Sequence, residues 1–282
     1  MTTDAPKAEG AAKGSELVWA LALFRRSLLK QDKFRRIKAM LGDPSGLACL
    51  DIGSNNGVIS WLLRQEGGTW VSADLDEKAV ASIGRVLGER AWRIDDRKTP
   101  FAAGQFDAVV IIDFLEHVAN DAAVVREVKR ILKPGGTLVI NVPHLKPGSW
   151  LNRLRHRLGL TDELHGHLRP GYSLDSLRGL LGGDFVLEEA RTYSRFFSEA
   201  VDTALGLMYL ALQRRKQRQV GSSKGIVLHQ EDREQNRKEL LLMGAIYPLM
   251  WLVSRLDYLL PWTAGYKLVL RARQRPERSA GA

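Results

Sequence analysis

Three stretches of this 282-residue chain hold side chains with chemistry in them. Asp113-Phe114-Leu115-Glu116-His117-Val118 sets two carboxylates and an imidazole at i, i+3 and i+4, one face of a helical turn. Such a trio could hold a divalent cation, or cap and pack the start of a helix. His144, together with His165 and His167 in Glu163-Leu164-His165-Gly166-His167-Leu168-Arg169-Pro170, offers imidazoles able to take a proton from an acceptor hydroxyl. The expected base is His144. Leu50-Asp51-Ile52-Gly53-Ser54-Asn55-Asn56-Gly57 closes an apolar run with a glycine-bearing turn, where a backbone can approach a ligand closely.

Alternating elements must position these residues. The spacing predicts one or two amphipathic helices over Glu16 to Leu41, then a Gly/Pro break. Strands are expected at Leu47 to Ile52, Trp70 to Ala73, Ala91 to Ile94, Phe106 to Ile112, Thr137 to Val142 and around Phe185 to Arg191. Helices alternate with them at Ile59 to Arg64, Glu77 to Leu87, Ala119 to Leu132 and Asp175 to Leu181. A last strand is expected at Tyr266 to Arg271. The pattern is an α/β fold: a Rossmann-like, seven-stranded, mostly parallel sheet with helices on both faces. Ligands of such sheets bind at the carboxyl ends of the strands, where the turn at 51–57 falls.

Order adds to what the turn alone can say. Asp74-Leu75 follows the second strand, Asp95-Asp96 the third, Pro100-Phe101 and Phe106-Asp107 lead into the fourth, and Lys133-Pro134-Gly135-Gly136 precedes the fifth. In this arrangement the chain resembles the class I methyltransferases that use S-adenosylmethionine (SAM), over roughly Leu47 to Arg191 plus the last strand. The family's first motif, acid-x-Gly-x-Gly-x-Gly, is met by Asp51, Gly53 and Gly57, with Asn55 departing from it; Asn tolerates left-handed backbone angles. The resemblance implies SAM as cofactor, bound by Asp51, Gly53, Ser54, Asn55 and Gly57 at its methionine end. It also implies Asp74, with Leu75 beside it, on the ribose hydroxyls, Asp95 with the backbone of Asp96 on adenine, and Asp113 lining the pocket. Asp113 to Val118, and Tyr172-Ser173-Leu174-Asp175-Ser176-Leu177, look like the corresponding stretches of ubiquinone-biosynthesis O-methyltransferases.

A nicotinamide dinucleotide would want G-x-G-x-x-G, and only Gly53 and Gly57 are present in the turn. The Asp/Asn-Pro-Pro-aromatic signature of many amino-directed nucleic-acid methyltransferases is absent after the fourth strand, and no zinc-spaced cysteines occur. The lone Cys49 reads as a small buried hydrophobe in a reducing compartment.

The net charge of +10 favours an anionic partner. Basic clusters lie at Arg25 to Lys38, at Arg214, Arg215, Lys216 and Arg218, and at Arg271, Arg273, Arg275 and Arg278. Residues 1–45 are expected to form a disordered leader, without a secretory signal, and basic helices. Residues 46–192 are expected to be the SAM-binding core, 193–263 an apolar and basic helical insertion, and 264–282 the last strand and a tail. Within the insertion Leu240 to Val253 carries no charge but is interrupted by Pro248, and a spanning helix needs about 20 apolar residues. The segment therefore reads as a lid, a homodimer contact, or a helix lying in an anionic membrane surface. The expected activity is O-methylation of a small or lipid-linked acceptor, a quinone precursor or a glycan on a lipid, at the cytoplasmic face of a membrane. RNA methylation, and SAM binding without turnover, are the alternatives.

Overall fold

The computed structural model describes residues 16–215 and 237–276. The leader through Gly14, Lys216 and Arg218 of the second basic cluster, most of the polar stretch between the accessory helices, and Arg278 with the last residues lie outside the described residues.

Two helices come first, α1 (residues 16–25) and α2 (Leu28–Leu41), the second started by the Ser27 hydroxyl accepting from Lys30 N. The core follows as β1 (Ala48–Ile52), α3 (Val58–Gln65), β2 (Thr69–Asp74), α4 (Glu77–Leu87), β3 (Trp92–Arg93), β4 (Phe106–Ile112), α5 (Asp121–Ile131) and β5 (Leu132–Pro143). Next are α6 (Trp150–Arg157), α7 (Leu174–Leu181) and β6 (Phe185–Tyr193). The accessory helices α8 (Phe196–Arg215) and α9 (Arg237–Arg255) then lead into β7 (Lys267–Gln274).

The seven strands form one sheet in the order β3-β2-β1-β4-β5-β7-β6, parallel except for β7, which runs antiparallel to both its neighbours. Side chains of successive strand residues point to opposite faces. Leu50, Ile52, Val109, Ile111, Leu138 and Ile140 thus build one apolar layer. Cys49, Ala108, Val110, Ile112, Val139 and Val269 build the other, on which Ile37, Met40 and Leu41 of α2 are buried. Burial pushes the Cys49 thiol up to about 12, so it stays a thiol.

The expected fold class is met, with local corrections. β3 shrinks to Trp92–Arg93, and the Lys133 to Gly136 segment is absorbed into β5 by a register irregularity opposite Phe106. β7 continues through Gln274, where a tail was expected; its carboxamide donates to Lys129 O at 3.0 Å. The helix α6 was not anticipated. Ser149 caps it, but its polar and basic residues mask the single buried Leu151. Among the described residues no helix is long and apolar enough to cross a membrane.

Candidate functional site

The carboxyl ends of β1, β4 and β5 open on a cavity of about 720 Å³. That is within the roughly 300 to 1,000 Å³ common to small-molecule sites. The turn after β1 forms one wall. Gly53 has φ +94, and a Cβ there would sit 2.3 Å from Ile112 O, so the turn lies against β4 only because residue 53 lacks a side chain. Asn55 adopts φ 54, the left-handed conformation that the family's glycine would take.

Asp51 anchors this turn from beneath. It is fully buried and accepts hydrogen bonds from Ser54 Oγ (2.7 Å), Ser60 Oγ (2.6 Å) and Ser72 Oγ (2.6 Å), with Arg64 at 3.5 Å. Asp74, also fully buried, accepts from the backbone N–H groups of Asn55 (3.2 Å) and Asp76 (3.3 Å), tying the turn to the end of β2. Asp95 Oδ1 accepts from Arg97 N and Lys98 N at 2.8 and 2.9 Å, and these bonds hold its carboxyl below the usual range. Asp96 Oδ2 accepts from Asn120 N at 3.4 Å. Of the sequence-selected residues, Gly53, Ser54, Asn55, Asp113 and His144 line the cavity. Asp51, Gly57, Asp74, Leu75, Asp95 and Asp96 do not line it.

Asp113 directly follows β4, with φ 43, and is bonded on both oxygens. Asn141 Nδ2 donates to Oδ1 at 2.8 Å, Tyr193 OH donates to Asn141 Oδ1 at 2.5 Å, and Lys33 of α2 forms an ion pair with Oδ2. Burial alone would raise the Asp113 carboxyl, but Lys33 and Lys267 outweigh it and hold the group ionised.

Glu116 and His117 belong to a single 3-10 turn, Leu115–His117, and Asp113 lies off it. The expected trio is thereby corrected. The side chains whose ligand atoms come within 4.8 Å of one another are Glu116, His117 and His167, brought in by the loop before α7. Glu116 is fully buried, and neither oxygen bonds to another residue among the described residues. Burial, helped by the charge of Asp113, pushes its carboxyl up to about 8. His117 Nδ1 meets Gly166 O at 2.9 Å, and its ring packs edge-on against His167 at 5.0 Å. A carboxylate and two imidazoles are a donor set for a transition-metal dication.

His144 contacts Gly265 O through Nδ1 at 2.7 Å. A carbonyl only accepts, so Nδ1 is the donor nitrogen, and Nε2 is the one left to act as base when the ring is neutral. His165 ends the 3-10 turn Glu163–His165 just before His167, and its side chain lies outside the described residues. The far wall is α6 and α8, joined by the buried pair Arg155–Glu199 at 2.7 Å.

Sequence reasoning passed over Lys33, Asn141, Tyr193 and Lys267. Asn141 was signalled as a polar residue inside the apolar run Thr137 to Val142. Lys33 carried no such signal, because it stands among the basic residues of Arg25 to Lys38, and Lys267 reads only as the polar position of an alternating strand.

The description of a methyltransferase domain family matches residues 50–140. The ubiquinone biosynthesis O-methyltransferase of Bordetella avium is 32% identical over 122 residues, 41% of this chain and 50% of that protein. A SAM-dependent methyltransferase structure from Mesorhizobium loti superposes with TM-score 0.52 at 20% identity, over 84% of this chain and 95% of its own. Residues 50–140 are thus similar to a methyltransferase domain, set on a seven-stranded sheet of the Rossmann-like methyltransferase fold. The chain spans about half the length of the curated relatives it matches. The fold alone does not decide the activity: a [4+2]-cyclase is equally similar, with TM-score 0.55 at 16% identity over 88% of this chain and 81% of that one.

Proposed function

We propose that the protein methylates an oxygen of a small or lipid-linked acceptor, using SAM, against the cytoplasmic face of a membrane. The observation that carries this reading is the continuity of one cavity. It runs from Gly53, Asn55 and Asp113, past His144, to Leu205, Met208 and Met250 on the accessory helices.

The cavity residues fit the cofactor's charge. Asp113 already holds an ammonium, and SAM brings both an ammonium and a sulfonium. In this reading Gly53, Ser54, Asn55 and Asp113 receive the methionine end, on a turn held by Asp51 and Gly57. Asp74 with Leu75, and Asp95 or Asp96, serve the ribose and adenine. When bound, SAM supplies an electrophilic methyl group. His144 Nε2 takes the acceptor's hydroxyl proton, while α2, α6 and α8 keep water from the reacting atoms. The Glu116, His117 and His167 cluster would orient a catechol-like acceptor through a divalent cation.

Membrane contact draws on the end of α9 and the turn after it. Trp251, Leu252, Tyr258, Leu259 and Trp262 are exposed, Trp262 by 78%. The guanidinium of Arg255 lies 4.5 Å from the Trp251 ring and 5.6 Å from the Tyr258 ring. Aromatic side chains interleaved with arginine suit an interface with anionic lipid.

Labelled SAM incubated separately with membrane extract, soluble metabolites and RNA tests the acceptor class. Label in a membrane or metabolite product supports the reading, and label only in RNA overturns it. His144→Ala should cut turnover by roughly 10² to 10⁴ while SAM affinity stays unchanged. Flotation with anionic vesicles, lost in a Leu259→Glu and Trp262→Glu double variant, tests the membrane face. A concentration-dependent mass in light scattering, abolished by the same variant, would assign that surface to a homodimer instead.

A further inference from the structure

A chain of three polar side chains crosses the sheet at its carboxyl edge, on the face that α2 covers. Tyr193 ends β6 and stands opposite Lys267 of β7, while Asn141 of β5 stands opposite Val269 of the same strand. The Tyr193 side chain therefore reaches over β7 to meet Asn141, and Asn141 in turn meets Asp113. Tyr193 and Asn141 are both buried in an otherwise apolar layer, where a phenol and a carboxamide cost stability unless they are hydrogen-bonded.

The chemistry of the three groups fixes their order. An ionised carboxylate only accepts, so the carboxamide turns Nδ2 toward Asp113 Oδ1 at 2.8 Å and its own oxygen toward Tyr193 at 2.5 Å. The phenol must then donate. Burial pushes its pKa far above the ordinary value, so the donated proton stays on the oxygen. The Asn141 backbone adds a second hold, its carbonyl accepting from Asp113 N at 2.9 Å. Asp113 needs these holds, because φ 43 is a conformation that residues other than glycine rarely adopt.

The two oxygens of Asp113 are thus unlike. Oδ1 is tied to the sheet through Asn141, whereas Oδ2 is held by Lys33 of α2. An ammonium on a flexible four-carbon stem gives way to a competing cation, and a carboxamide locked at both ends does not turn aside. We infer that Asn141 and Tyr193 are positioning residues, which lock Asp113 by Oδ1 so that Oδ2 is presented to the ammonium of a cavity ligand. The inference rests on the reading of Asp113 as a seat for the methionine end of SAM. It gives Tyr193, outside the matched segment 50–140, a part in selecting the cofactor.

Two nucleosides test this by calorimetry on the full chain. S-adenosylhomocysteine carries the amino-acid end with its ammonium, and 5′-methylthioadenosine keeps the nucleoside but lacks that end. Asp113→Asn and Asn141→Leu should each weaken S-adenosylhomocysteine roughly tenfold or more, and Tyr193→Phe roughly three- to tenfold. In all three variants the affinity for 5′-methylthioadenosine should change by less than about twofold, a split that general damage to the fold would not give. In the Asp113→Asn background Tyr193→Phe should cost nothing further, because no carboxylate is left to orient. Equal losses for both nucleosides, additive losses in this cycle, or a Tyr193→Phe variant that binds S-adenosylhomocysteine as the natural protein does overturns the inference. If Asn141→Leu does not fold, Tyr193→Phe and the cycle decide alone. A loss in Asp113→Asn without one in Tyr193→Phe removes the positioning role and leaves the cofactor reading standing. No loss in Asp113→Asn removes both.

Discussion

Lys33 of α2 is paired inside the cavity with Asp113, the acid that directly follows β4. The pair joins a helix outside the matched domain to the strand end at which the domain's ligand is expected. A cationic ligand must compete with Lys33 for that carboxylate. Lys33→Met is therefore expected to bind SAM roughly three- to tenfold tighter, and Asp113→Asn at least tenfold more weakly, the scale of a charge-assisted hydrogen bond. Calorimetry checks both. Weaker binding by Lys33→Met would make Lys33 a ligand contact instead of a competitor.

Asp51 carries the fold of the turn. Its removal leaves three serine hydroxyls and the Arg64 guanidinium facing a buried gap. Asp51→Ala is expected to destabilise the protein by about 3 kcal/mol or more. Ser60→Ala should cost about 1 kcal/mol. Urea unfolding followed by circular dichroism measures both. An Asp51→Ala variant of ordinary stability that has lost SAM binding would move the residue from anchoring the turn to touching the ligand.

Lys30 gives a pH dependence of definite sign. Burial and Lys33 lower its folded value to about 8 from 10.5, while Asp202 on α8 and Asp113 after β4 partly oppose the shift. Below pH 8 the ammonium is charged in both states and its cost to the folded state is fully present. Between about 8 and 10.5 the folded protein releases the proton first, so that cost disappears as pH rises. Lys30→Met should melt higher than the natural protein at pH 7, with the gap narrowing toward pH 10. A gap that widens with pH would contradict the assignment.

Glu116, His117 and His167 predict a metal response. Millimolar Mn²⁺ or micromolar Zn²⁺ should raise the melting temperature by a few degrees, as ligand linkage requires for concentrations well above Kd. Chelator should reverse the shift, and Glu116→Gln or His117→Ala should abolish it. Asp113→Asn should leave it largely in place, because Asp113 stands off the turn that carries the cluster.

The sheet was legible because each strand is a short apolar run bounded by Gly, Pro or Asp, and the helices keep their period. Glu77–Leu87 was found to the residue because Asp76 caps it and Gly88 ends it with φ 69. The cavity was half legible. Its strand-end residues follow from topology, since the carboxyl edges of parallel strands converge. The opposite wall could not be read. Nothing local tells Lys30 from Lys38, or announces that the loop carrying His167 returns to Glu116; these are meetings of segments far apart in sequence. Asp51 and Asp74 show the converse, for acids at motif positions spend their oxygens on hydroxyls and backbone of the turn itself.

The antiparallel β7 also has a consequence for assembly. It lies between β5 and β6, yet in the chain it follows both accessory helices. While β7 is missing, β5 and β6 each expose an unpaired edge, and Lys267 is not yet delivered to the cavity. Insertion of this one strand seals two edges at once and fixes both roots of the helical excursion. The walls that α8, α9 and Lys267 give the cavity can therefore close only once this strand is in place, whereas the turn at 51–57 is complete with β1 to β5.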